Sequence, residues 1–232
     1  MKIIAEIGQN HNGDMSIAKD LIWAAKESGA DVAKFQLYEA NALFTKEGNI
    51  WFDYNCKTEL SRDQVGFLSD ECSRANIEFM ASVFDLERIE WLESLGVKRH
   101  KVASRSITNV TLVKALINTE KDLIVSLGMW TEKEFPKFET TAKVDYLYCV
   151  SKYPTAMSDL HLASVDFTKY SGFSDHTIGI SATLMAMSRG ANIIEKHFTL
   201  DKQMFGPDHQ GSMTPKELSF INQFKTELYE AM

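Results

Sequence analysis

The chain has 232 residues, of which 44% are hydrophobic and 25% charged, and a formal net charge of −7. That length buries a substantial core in one large domain or two small ones, the acidic balance argues against a nucleic-acid partner, and no apolar run is long enough to span a membrane. Three cysteines, Cys56, Cys72 and Cys149, are scattered and odd in number, which suits reduced thiols in a cytoplasmic protein rather than a disulfide framework.

In chain order, KIIAEI (2–7) reads as a first strand, and its three apolar residues before Glu6 are too few for a signal peptide. SIAKDLIWAAKESGA (16–30) carries Ile17, Leu21, Ala24 and Ala25 at helical spacing and closes on Gly29, a C-terminal capping residue. VAKFQ (32–36) and EFMAS (78–82) are strands separated by the helix RDQVGFLSDECSRAN (62–76). DLERIEWLESLG (85–96) is a helix, RHKVAS (99–104) a strand, NVTLVKALINTE (109–120) a helix and DLIVS (122–126) a strand. A helix is expected over 131–142, weakened by the internal Pro136. VDYLYC (144–149) and YSGFS (170–174) are strands with a helix expected between them at 161–170. IGISATLMAMSRGA (178–191) is helical, NIIEKHF (192–198) is the eighth strand, and a helix over 215–232 ends the chain. This β-then-α alternation predicts an α/β fold, a (β/α)8 TIM barrel forming a single domain over 1–232. The rival is an open doubly wound sheet, but no G-x-G-x-x-G follows the first strand.

A TIM barrel places its active site where its strands end. Those ends carry Glu6; Lys34 and Gln36; Ser82; Lys101 and Ser104; Ser126; Cys149, Ser151 and Tyr153; Ser174 and His176; Lys196 and His197. Taken singly, a serine there is a helix cap or turn former, a lysine snorkels to solvent, and a histidine is an ordinary hydrogen-bonded residue. The convergence of all eight ends favours a site. Lys34 and Lys101 with Ser82, Ser104, Ser126 and Ser174 have the chemistry of a phosphate pocket. His176 and His197, ending adjacent strands, could hold a divalent cation and leave positions open for substrate oxygens. Glu6, on the first strand beside the eighth, is placed for proton transfer.

At these residues the sequence resembles the sialic acid synthase family, which includes N-acetylneuraminate, legionaminate and pseudaminate synthases. The matching stretches are AEIGQNHNGD (5–14), GADVAKFQ (29–36), KVAS (101–104), SLGM (126–129), YPT (153–155), GFSDHTIGI (172–180), GANIIEKHFTLDK (190–202), GPDH (206–209) and SMTPKEL (212–218). The resemblance implies a TIM barrel that condenses phosphoenolpyruvate with an N-acetylmannosamine-type aldehyde sugar, with Mn²⁺ or Mg²⁺ on His176 and His197. It assigns phosphate binding to Lys34, Ser82, Lys101, Ser104, Ser126 and Ser174, acid/base catalysis to Glu6, and sugar contacts to Gln36, Tyr153 and Asp208. It admits a homodimer. Three stretches depart from the family pattern. ASGE becomes ASRS, bringing in Arg105 and Ser106; STPF becomes ASVF at 81–84; and Ser151 stands where Asn is common. The family's C-terminal antifreeze-like domain, which lends an arginine to a partner's site, is expected to be lacking. Arg105 reads either as a salt-bridged rim residue or as a guanidinium directed at the sugar. Two other functions compete: a related condensing enzyme using phosphoenolpyruvate or pyruvate with another sugar, and a catalytically weakened barrel kept as a binding or assembly subunit.

Overall fold

The computed structural model describes residues 1–231. In chain order its elements are β1 (Lys2–Gly8), α1 (Met15–Glu27), β2 (Val32–Leu37), α2 (Ala40–Leu43), α3 (Phe52–Lys57), α4 (Arg62–Arg74), β3 (Glu78–Val83) and α5 (Leu86–Ser94). They continue with β4 (Arg99–Val102), α6 (Val110–Ile117), β5 (Asp122–Ser126), β6 (Val144–Cys149), β7 (Gly172–Asp175), α7 (Ser181–Ser188), β8 (Ile193–His197) and α8 (Pro215–Glu230). The eight strands are parallel and pair in sequence order, and β8 returns to β1 to close the barrel. This is the (β/α)8 architecture expected from the alternation.

Local chemistry sets the helix starts. The Asp14 carboxylate accepts from the Ser16 and Ile17 amides ahead of α1. Ser61 with Gln64, and Thr214 with Glu217, form reciprocal capping boxes at α4 and α8. Strand residues alternate between two cores. Ile4, Val32, Met80, Ile124, Leu147 and Ile193 fill the barrel interior. Ile3, Ala5, Phe35, Leu123 and Phe173 face outward against Leu21, Leu68, Leu92 and Leu116 of the helices. Each such large side chain contributes about 1.5–3 kcal/mol on burial. The interior plug is the floor on which the polar strand ends stand. No helix among the described residues is long and apolar enough to cross a membrane.

Two expected helices do not form. Residues 131–142 are irregular, and 161–170 contain only the 3₁₀ turn Leu162–Ser164 and a further turn. In the first segment Pro136 has no N–H to give a helix, and its carbonyl accepts from the Tyr146 hydroxyl. Phe135 packs edge-on to Tyr146 at 5.0 Å and lies 4.7 Å from the Tyr170 ring, so aromatic side chains cover the sheet where a helix would lie. In the second, the Asp166 carboxylate accepts from both the Thr168 amide and its hydroxyl, an Asx-type turn that competes with helix hydrogen bonding.

The β1–α1 loop is fastened by buried amides. Gln9 donates to Asn55, Thr58 and Tyr38, and Asn10 donates to the Phe198 carbonyl and the Ser212 hydroxyl, both at 2.9 Å. His209 bridges the last loop to the first, meeting Thr199 at 2.7 Å and Asn12 at 3.1 Å. Within this loop His11 is fully buried, and its Nδ1 accepts from the Gly13 amide at 3.1 Å. Burial lowers its pKa from 6.5 to about 4. The unfolded chain therefore takes up that proton first as pH falls. The stability His11 contributes is whole above pH 6.5 and is lost by about pH 4, a change of about 3 kcal/mol. In His11→Gln the loss of melting temperature between pH 7 and pH 4 is expected to shrink accordingly; an acid sensitivity equal to wild type contradicts the assignment.

Candidate active site

Strand register brings the polar ends together. Glu6 lies beside Lys34 on one side and His197 on the other. Ser82 lies between Gln36 and Lys101, and Ser174 between Cys149 and Glu195. Each strand thus delivers one inward residue just above the apolar plug: Glu6, Lys34, Ser82, Lys101, Ser126, Cys149, Ser174 and Glu195. They line a cavity of about 450 Å³ together with Gln36, Ser104, Tyr153, His176 and His197. Of the candidate site residues picked out from the sequence, Ser151, Asp208 and Arg105 lie outside it. These line a wider outer chamber of about 1260 Å³, into which the inner cavity opens past Gln36, Ser104, Tyr153 and His197.

The inner cavity is a charge-balanced quartet. Lys34 sits 2.7 Å from Glu6 Oε2 and 3.4 Å from Glu195 Oε2, and donates to the Ser82 hydroxyl at 3.2 Å. Lys101 donates to Ser126 Oγ at 2.7 Å and lies 3.6 Å from Glu195 Oε1. Ser174 donates to Glu195 at 2.9 Å, and Gln36 donates to Glu6 Oε1 at 2.9 Å. Every member of the quartet is buried, so these charges interact in a weakly screened medium. Burial opposes the Lys34 charge, but Glu195 and Glu6 outweigh it and hold the ammonium above the ordinary lysine range. Burial lowers Lys101; Glu195 compensates only in part, and Lys34 adds to the lowering. Burial alone would raise Glu195, yet Lys101, Lys34 and the Ser174 hydroxyl hold its carboxyl well below the usual range. Lys101 is therefore the cation with most to gain from an incoming anion.

Glu195 was not among the residues picked out from the sequence, and the signal for it was present. Alternation along β8 from His197 turns Glu195 inward and Lys196 outward. Lys196, read beside His197 as part of the same face, borders the inner cavity too, but its ammonium is committed to the β7 loop. It is fully buried, 3.1 Å from Asp175, and donates to the Thr177 carbonyl at 2.6 Å. Asp175 in turn accepts from Thr177 and Thr183, fixing the loop that carries His176.

Backbone details make room for these groups. A bulge in β1 between Glu6 and Gly8 puts Gly8 at φ +53°, and a Cβ there would meet the Gln36 amide at 3.2 Å and the His197 ring at 3.4 Å. Gly128 approaches still closer, since a Cβ would lie 2.5 Å from Ser151 Oγ and 2.9 Å from Ser104 Oγ. Its amide donates to Ser104 at 2.7 Å, so that hydroxyl is held by the β5 loop.

At the mouth, the His176 and His197 ring centroids are 6.1 Å apart, and Tyr153 packs on His176 at 4.2 Å. His176 Nδ1 lies 3.0 Å from the Val150 carbonyl. That acceptor places the ring proton on Nδ1 and leaves the Nε2 lone pair free. His197 Nδ1 is buried with no hydrogen-bond partner, and Asp208 Oδ2 lies 4.0 Å from it. Among the described residues no cluster of three His, Cys, Asp or Glu side chains forms a metal site.

Known proteins resemble this chain in sequence and in fold. Residues 21–232 match the NeuB family. The chain is 39% identical to N,N'-diacetyllegionaminic acid synthase of Legionella pneumophila, over 95% of this chain and 70% of that protein. It is 37% identical to N-acetylneuraminate-9-phosphate synthase of Drosophila melanogaster, over 94% and 65%. The crystal structure of N-acetylneuraminic acid (sialic acid) synthetase from Leptospira borgpetersenii superposes with a TM-score of 0.91 at 30% identity, covering 99% of this chain and 84% of that one. With nearly the whole barrel matched in sequence and in fold, the chain belongs to the NeuB family.

Proposed function

We propose that this barrel condenses phosphoenolpyruvate with an aldehyde amino sugar of the N-acetylmannosamine type, giving a nonulosonic acid and inorganic phosphate. The observation that carries the reading is the inner cavity: two buried lysines and a ring of inward serines suit the phosphate and carboxylate of phosphoenolpyruvate, with the carboxylates of Glu6 and Glu195 beside them. The relatives named as legionaminic acid and N-acetylneuraminate-9-phosphate synthases support the product class.

Phosphoenolpyruvate enters the inner cavity, where its anionic groups compete with Glu6 and Glu195 for Lys34 and Lys101. Ser82, Ser126 and Ser174 turn their hydroxyl protons towards its oxygens. The sugar occupies the outer chamber, its aldehyde between Gln36, Tyr153 and the two histidines. C3 of phosphoenolpyruvate bonds to the aldehyde carbon, and the aldehyde oxygen takes up a proton. Positive charge left at C2 is quenched by water, and the C2–O bond to phosphate then breaks. Glu6, free of Lys34 once the phosphate has taken that contact, exchanges the protons of these steps.

The donor set at the mouth fits a divalent cation, Mn²⁺ or Mg²⁺. One imidazole has its far nitrogen fixed by a carbonyl, and the other carries a buried nitrogen without a partner. His176 and His197 would hold it, with substrate and water completing its ligands; bound there, it supplies Lewis-acid polarisation of the aldehyde oxygen. The test is phosphate release from phosphoenolpyruvate with Mn²⁺ and a panel of N-acetylated hexoses, repeated with chelator. Release is expected only when sugar and metal are both present. His197→Ala is expected to abolish turnover and also to lose Mn²⁺ binding measured by electron paramagnetic resonance. Full turnover in chelator removes the metal role, and no phosphate from any sugar removes the condensation.

A further inference from the structure

We infer that Arg105 reads the acylamino group of the sugar, which makes it a specificity-determining residue of the outer chamber. The assignment rests on the condensation reading and adds to it the part of the substrate recognised at the rim.

Arg105 leaves the barrel in the 3₁₀ turn Ser104–Ser106 directly after β4. It lines the outer chamber together with Phe44, Phe84, Met129, Tyr153 and Asp208. The guanidinium lies over two aromatic rings, 5.5 Å from the Phe44 centroid and 5.9 Å from that of Phe84. The first ring comes from the segment after α2 and the second from the β3–α5 turn, so two separate elements hold it. Such stacking engages the faces of a guanidinium and leaves the N–H groups along its edge unused. Among the described residues no carboxylate pairs with it, unlike Arg74, Arg88 and Arg99. Arg105 is therefore no salt-bridged rim arginine. It is an exposed planar donor resting against two aromatic rings, with its hydrogen bonds uncommitted at the edge of the outer chamber.

The chamber wall selects the kind of acceptor. Leu43, Phe44, Phe84 and Met129 form an apolar surface beside the guanidinium, and the only other formal charge in the lining is the Asp208 carboxylate. The inner cavity, by contrast, sets two ammonium groups among hydroxyls. A dianionic phosphate at the rim would face one cation, one anion and a greasy wall. An acylamino group matches both features, its carbonyl accepting from the guanidinium and its methyl lying on the apolar side chains.

The experiment compares wild type, Arg105→Ala and Arg105→Lys for phosphate release from phosphoenolpyruvate with N-acetylmannosamine, mannose and N-acetylmannosamine 6-phosphate. A hydrogen bond to a charged donor corresponds to a factor of about ten to a hundred. Wild type is expected to prefer N-acetylmannosamine to mannose in kcat/KM, and Arg105→Ala to reduce that preference by that factor. The KM for phosphoenolpyruvate stays unchanged, and lysine, which cannot present a planar edge, restores little. An unchanged preference in Arg105→Ala overturns this assignment and leaves the condensation standing. So does a wild-type preference for the 6-phosphate that Arg105→Ala abolishes, since the guanidinium then reads phosphate. No phosphate from any sugar removes the condensation, and this assignment with it.

Discussion

Glu6→Gln is expected to lower kcat for phosphate release by about two to four orders of magnitude, the usual contribution of a positioned proton carrier, while the barrel stays folded. The substitution keeps the shape of the side chain and one oxygen, which accepts from Lys34 in place of Oε2, while its amide N–H meets the Gln36 side chain with that amide turned to accept. Lys34 is not stranded by it, because Glu195 remains 3.4 Å away and the Ser82 hydroxyl 3.2 Å away. Removing a partner from a buried ion pair is strongly destabilising when it leaves the other charge uncompensated; here a second carboxylate is already in place. The variant therefore separates proton transfer from stability. Melting temperature measures the stability, single-turnover phosphate release measures the chemistry, and a kcat within tenfold of wild type would exclude Glu6 as the acid/base.

The parts of this molecule that were legible in the sequence are those where one periodicity acts alone. Lys34, Gln36, Ser82 and Ser126 were legible as polar residues at strand ends, and the β-then-α rhythm was enough for the closed barrel. Legibility failed where neighbouring charges were read as a cluster instead of by parity. Glu195, Lys196 and His197 are consecutive and all border the cavity, yet Glu195 joins the inward lysines while Lys196 pairs with Asp175. It failed again at 131–142 and 161–170, where Phe135, Tyr146 and Tyr170 cover the strands without help from a helix. Such long-range aromatic contacts leave no mark in a local window. The division of the mouth into two chambers was likewise invisible. Ser151 and Asp208 sit on loops whose course is set by distant hydrogen bonds, such as that between His209 and Asn12.

Lys101→Met is expected to raise the KM for phosphoenolpyruvate by about thirty-fold or more, with the KM for the sugar little changed. The magnitude follows from truncating one partner of a buried, hydrogen-bonded charge pair, which costs about 2–5 kcal/mol. Lys101 and Lys34 are not equivalent cations. Lys34 has two carboxylates within 3.4 Å and is stably charged before any substrate arrives. Lys101 has its nearest carboxylate at 3.6 Å and otherwise meets the Ser126 hydroxyl and the Val102 carbonyl. Burial lowers its pKa, and the neighbouring Lys34 lowers it further. An arriving phosphate opposes both effects, so binding and protonation of Lys101 reinforce each other. In wild type the KM for phosphoenolpyruvate should accordingly rise with pH on the alkaline side, as free Lys101 loses its proton before the complex does. Methionine has a similar length and no charge, so the variant keeps the packing and should lose this pH dependence along with the affinity. Equal increases in both KM values, or an alkaline rise that persists in Lys101→Met, would place the phosphate elsewhere in the cavity.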